Sequence, residues 1–116
     1  PLEMTAALLF DAWHYEEGEE DLTAMRLIVE GRDDEGPVRH VLHLVDRFDA
    51  ATGVSSMART TGYTATAFAR LVLDGRWNEP GIAPPEVVGA GGDVLDFVLA
   101  HLEARGVGVQ RSVDRP

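Results

Sequence analysis

Apolar positions at the start of the chain recur at helical spacing. Leu2, Ala6, Leu9, Phe10 and Trp13 return at three- and four-residue steps, which predicts a helix from Leu2 to about His14 with those residues on one face. The acidic run Glu16-Glu17-Gly18-Glu19-Glu20-Asp21 ends it, because clustered carboxylates repel and Gly18 releases the backbone. The period then changes to two. Met25, Leu27 and Val29 alternate against Arg26 and Glu30 in Leu22 to Glu30. In Val38 to Phe48, Val38, His40, Leu42 and Leu44 alternate against Arg39, Val41, His43, Val45 and Arg47. With the turn-forming Arg32-Asp33-Asp34-Glu35-Gly36-Pro37 between them, the two runs predict a β-hairpin. Both faces of the second strand carry apolar groups. One face is therefore expected to pack on helices and the other to meet a partner rather than bulk water.

Thr52 to Ser56 reads as loop. A second helix is expected from about Thr61 to Asp74, with Tyr63, Ala67, Phe68, Leu71 and Val72 as its apolar stripe. Thr60 or Thr61 is its expected cap, and Gly75 sits where a left-handed residue closes a helix. Asn78 to Pro85 is a Pro/Gly-rich connection. Asp93 is expected to cap a third helix to about Arg105, with Leu95, Val98, Leu99 and Leu102 facing inward and Gly106 as its stop. Val107, Val109, Arg111 and Val113 predict a short final strand. The expected class is α+β, an antiparallel hairpin-based sheet packed with about three helices.

Composition narrows the chemistry. With 116 residues, of which 45% are hydrophobic, residues 1–116 can form one core as a single domain or a fragment. There is no cysteine, which removes disulfides, thiolate nucleophiles and Cys-based metal sites. All ten bases are arginine, so Schiff-base and P-loop lysines are excluded. Twenty acids leave a net charge of −10, which disfavours nucleic acid and anionic membrane as partners. No apolar stretch nears the ~18 residues of a membrane span. The opening Pro1-Leu2-Glu3-Met4 lacks a positively charged leader, and the expectation is a piece of a longer cytoplasmic protein.

Several apparent motifs dissolve on inspection. Gly89-Ala90-Gly91-Gly92 suggests a dinucleotide turn, but the last fingerprint position falls on Val94 and too little chain surrounds it for a βαβ unit. His40 and His43, three apart on a strand, point to opposite faces, while His14 and His101 sit on separate helices, so no metal site is expected. The acidic clusters lack calcium-loop spacing, and Ser55, Ser56 and Ser112 lie in no nucleophile motif, so no catalytic residue is expected. Arg59, Thr60, Thr61, Gly62 and Tyr63 are different. They place an arginine, two hydroxyls and a glycine at the expected helix start, where unpaired N–H groups and the positive dipole end favour an anion. Ordinary capping with Arg59 exposed accounts for the same residues equally well.

The same segment carries a resemblance. Ser56-Met57-Ala58-Arg59-Thr60-Thr61-Gly62-Tyr63 and the helix ending Leu73-Asp74-Gly75 resemble the C-terminal region of saccharopine dehydrogenase-type reductases. Gly81-Ile82-Ala83-Pro84-Pro85-Glu86, the final Arg105-Gly106-Val107 and the entry Pro1-Leu2-Glu3 fit the same pattern. The resemblance implies the substrate-binding and dimerisation region of an NAD(P)-dependent oxidoreductase acting on CH–NH bonds in lysine or amino-acid metabolism. It implies a homodimer or higher oligomer, and a Rossmann domain that precedes this region and holds the NAD(P). It further implies an amino-acid substrate, with Arg59 to Tyr63 near substrate or cofactor. No cofactor is expected on this region alone, which should be inactive by itself. The alternative is a stand-alone acidic module for a small anion or for dimerisation.

Overall fold

The computed structural model describes residues 1–16 and 18–115; Glu17 of the acidic run lies outside them. The first helix, α1, spans Leu2–Ala12; Pro1 holds its N-cap position without a side-chain cap bond, and the Pro1 carbonyl accepts the Thr5 hydroxyl at 2.9 Å. It ends close to the predicted boundary. None of its residues is buried.

The hairpin forms as β1, Leu22–Asp33, and β2, Gly36–Arg47. Its connection is shorter than the turn composition implied, because Gly36 accepts φ +120° and lets the strands run to within two residues of each other. A third strand, β3 at Val109–Asp114, pairs antiparallel with β2 and gives the order β1-β2-β3. Register places Met25 opposite Leu44, Leu27 opposite Leu42, and Val109 beside Leu44. Those positions share one face, which is the face the helices meet.

α2 spans Ser56–Leu73, five residues longer at its start than periodicity suggested. Gly75, at φ +69°, follows its end as expected. α3, Pro85–Gly89, is a short helix that starts where the predicted Asn78 to Pro85 connection ends, with Pro85 in its first turn. α4 spans Val94–Glu103. The core consists of Leu44 from the sheet, Ala67 and Leu71 from α2, Val88 from α3, Val94, Val98 and Leu102 from α4, and Val107. This is the α+β fold expected, with four helices among the described residues instead of about three.

One expectation about α4 fails. Val94, Val98 and Leu102, at four-residue steps, form the stripe that packs on α2. Leu95 is therefore turned away and 46% exposed, with Leu99 half-buried beside it. Asp93 holds the cap position but makes no cap bond, since its carboxylate accepts from Arg76 at 2.7 Å.

Candidate functional site

The start of α2 is where an anion site was expected, and it is already filled. Ser55 is the N-cap, and its hydroxyl accepts the Ala58 amide at 3.1 Å. The Asp21 carboxylate, from the end of the acidic run, accepts the amides of Ser56 and Met57. Partial burial pushes the Asp21 carboxyl up, but the Met57 and Ser56 amides outweigh it and hold the group below its usual range. The chain thus supplies its own anion. Thr60 and Thr61 lie inside the helix, so neither caps it, which corrects the sequence expectation.

Arg59 consequently points into the protein. Its Nε lies 3.3 Å from Asp46 Oδ2, its Nη1 3.0 Å from Asp49 Oδ2, and its Nη2 donates to the Arg105 carbonyl at 3.1 Å. Arg59 and Asp46 are both buried. A guanidinium fork shared between two carboxylates and a carbonyl ties β2, the following loop, α2 and the end of α4 together. Gly106 completes the arrangement: it adopts φ +78°, and a Cβ there would sit 3.4 Å from Arg59 Nη2. The Arg59 and Arg105 guanidinium carbons each lie 5.8 Å from the Tyr63 ring centre.

The remaining members of the predicted set separate by face. The Thr60 hydroxyl donates to the Ser56 carbonyl at 2.9 Å, and that of Thr64 to the Thr60 carbonyl at 2.7 Å. Gly62 has open space where a Cβ would stand, so close approach does not require glycine there. Thr60, Thr61 and Thr64 line an apolar groove of about 520 Å³ between the helices and the sheet. Its other walls come from β1, β2 and α4, among them Met25, Leu27, Leu42, Leu95 and Leu99. Arg59 and Tyr63 belong to the buried cluster; the threonines belong to the groove.

Sequence reasoning missed Asp46, Asp49 and His101. Asp46 and Asp49 look like solvated acids because Arg59 is distant in sequence. His101 is buried against α2, with Nε2 3.1 Å from the Thr66 hydroxyl. Burial, then the charges of Arg105 and Arg70, push its imidazole below its usual value. The third-residue spacing of polar His101 from apolar Val98 was the available signal. Among the described residues no group of three His, Asp or Glu side chains is placed to hold a metal ion. No described helix is long and apolar enough to cross a membrane.

The glycines at 89, 91 and 92 do not fit a nicotinamide dinucleotide. Gly89 ends the five-residue α3 and Gly91 and Gly92 come after it, so a short helix and not a strand leads into them, and all pairings in the described sheet are antiparallel. The arrangement is that of an α+β domain with an internally satisfied ionic cluster and a large uncovered apolar surface. The sequence profile of the saccharopine dehydrogenase C-terminal domain matches residues 1–107, and the chain belongs to that family, a domain of such enzymes. No solved structure matches the chain at a significant level.

Proposed function

We propose that the chain is the substrate-binding and dimerisation region of a saccharopine dehydrogenase-like, NAD(P)-dependent oxidoreductase of lysine or other amino-acid metabolism. In this reading a Rossmann domain elsewhere in the protein supplies the dinucleotide, and the amino-acid substrate lies between the two. The isolated region binds no cofactor and is inactive. The observation that carries the reading, beside the family, is the uncovered apolar surface. Leu2, Met4, Leu8, Phe10 and Trp13 of α1 are exposed, and so are Met25, Leu27 and Val29 of the sheet. Surfaces of this kind on a chain of net charge −10 belong against protein. Thr61 and Gly62, both exposed on α2, approach substrate or cofactor, while Arg59 and Tyr63 hold α2 in position.

The alternative of a stand-alone small-anion module has weaker support, because Asp21 occupies the amides that an external anion needs. The test uses the full-length gene product. Nicotinamide reduction is followed by absorbance with secondary-amine amino acids as substrates, and dimer formation by sedimentation. Turnover that depends on both amino acid and nicotinamide is expected. Absence of turnover with every secondary amine, in a folded protein that binds nicotinamide, overturns the reading.

A further inference from the structure

α1 and the groove are two uncovered apolar features of one chain, and they match in length, charge and chemistry. α1 has 11 residues and is therefore about 16 Å long. The wall of the groove along β1, from Thr23 to Leu27, measures about 14 Å at strand rise. No charged residue lines the groove, and α1 carries only Glu3 and Asp11. In a chain of net charge −10 this uncharged trench is a place where two copies can approach without repulsion. The hydroxyls of Thr60 and Thr64 are bound to carbonyls of their own helix, so an occupant need offer them nothing polar.

We infer that the groove is filled by α1 of a second copy of this chain, each protomer lending its helix to the other. The inference rests on the dimerisation half of the reading above and deepens it by naming the elements that meet. The Leu2–Leu9–Trp13 side of α1 enters the groove between Met25 and Leu27 of β1 and Leu95 and Leu99 of α4. Exchange is favoured over folding back because α1 stands off its own groove, and no α1 residue lines it. The connection to β1 is held in a turn, with the Glu19 amide donating to the Glu16 carbonyl at 3.0 Å and the Glu16 amide to the Glu19 carboxylate at 2.9 Å. The far end of that connection is pinned where Asp21 grips the first amides of α2. Phe10 and Trp13 each remove roughly 150–250 Å² from water when covered. Two exchanged helices and the two grooves facing them reach the ~1,200 Å² that stable association needs.

The absence of cysteine makes the test direct. Leu9→Cys and Leu95→Cys are made in separate copies of the chain, mixed and oxidised. A mixed disulfide dimer that forms only when both variants are present is the expected result. A double variant that closes its disulfide within one chain, with none in the mixture, overturns exchange in favour of folding back. A dimer by sedimentation without either disulfide overturns the exchange but leaves dimerisation standing. A monomer at high concentration with no cross-link removes both. As an independent check, Leu9→Asp should weaken dimerisation on the order of a hundredfold. Its far-UV circular dichroism should stay unchanged, because α1 buries nothing within its own chain.

Discussion

The two ends of the molecule use the same residue types to opposite effect. At the helix-packed end, Leu71 and Val107 are fully buried, and the polar groups among them are satisfied in pairs. Elsewhere, Leu2 of α1 is 84% exposed, Phe10 and Trp13 are nearly as open, and the sheet beyond the helices keeps Val29 and Val113 half in water. A hydrophobic pattern states which face must be covered; it does not say whether the same chain provides the cover. The packed end supplies its own, from α2 and α4 against Leu44 and Val107. The open end is built to receive something else.

Unequal sensitivity to substitution follows, and the largest contrast lies at Arg59. Removing it leaves Asp46 buried and unpaired, so Arg59→Ala should cost about 3–5 kcal/mol of unfolding free energy in urea. Arg59→Lys should recover only part, since an ammonium cannot span Asp46, Asp49 and the Arg105 carbonyl together. Leu8→Ala in α1, measured at protein concentrations where the chain is monomeric, should stay within about 0.5 kcal/mol of the parent. Equal losses at the two sites would mean that α1 is packed in solution, and the comparison would fall.

The next effect is smaller and tests the start of α2. Ser55→Ala removes the hydroxyl that accepts the Ala58 amide and should cost about 1 kcal/mol by the same titration. No loss would mean that Asp21 alone holds the first turn. Thr60→Ala and Thr61→Ala should not reproduce the loss, because both lie beyond the capping position.

Much of this was legible in the sequence. Strict alternation gave the hairpin its strands and its paired faces, and Gly75 and Gly106 marked the ends of α2 and α4, each at positive φ. The family was legible from the segment around Arg59. What escaped depends on partners far along the chain. Thr60 and Thr61 are good caps by residue type, yet Ser55 wins because Asp21, more than thirty residues earlier, holds the next two amides. Arg59 read equally as an anion ligand or as an exposed side chain, because its two aspartates belong to a strand end and a loop that no local pattern links to it. Leu95 read as core because a helical stripe can be drawn through it, whereas packing chose the stripe one residue earlier, through Val94.

Acid separates the two ends by where each begins to lose stability. At the packed end, burial and the nearby Arg105 and Arg70 lower the His101 value from its ordinary 6.5. Between that lowered value and 6.5 the unfolded chain binds a proton that the folded chain refuses, so stability falls as pH drops through this window. His101→Asn should flatten that part of the profile. At the hairpin tip, Arg115 makes two hydrogen bonds of 2.9 Å to Asp33 and holds its carboxyl below the ordinary 3.8, against a weaker opposing effect of burial. That contribution is fully present above 3.8 and is lost only as pH falls through the lowered value. An NMR titration should therefore show resonances around Thr66 and His101 moving first, while those of Asp33 and Arg115 hold until the pH passes below 3.8. Simultaneous movement at both ends would show that the tip and the core unfold as one unit, and that the open end is less independent than its exposure implies.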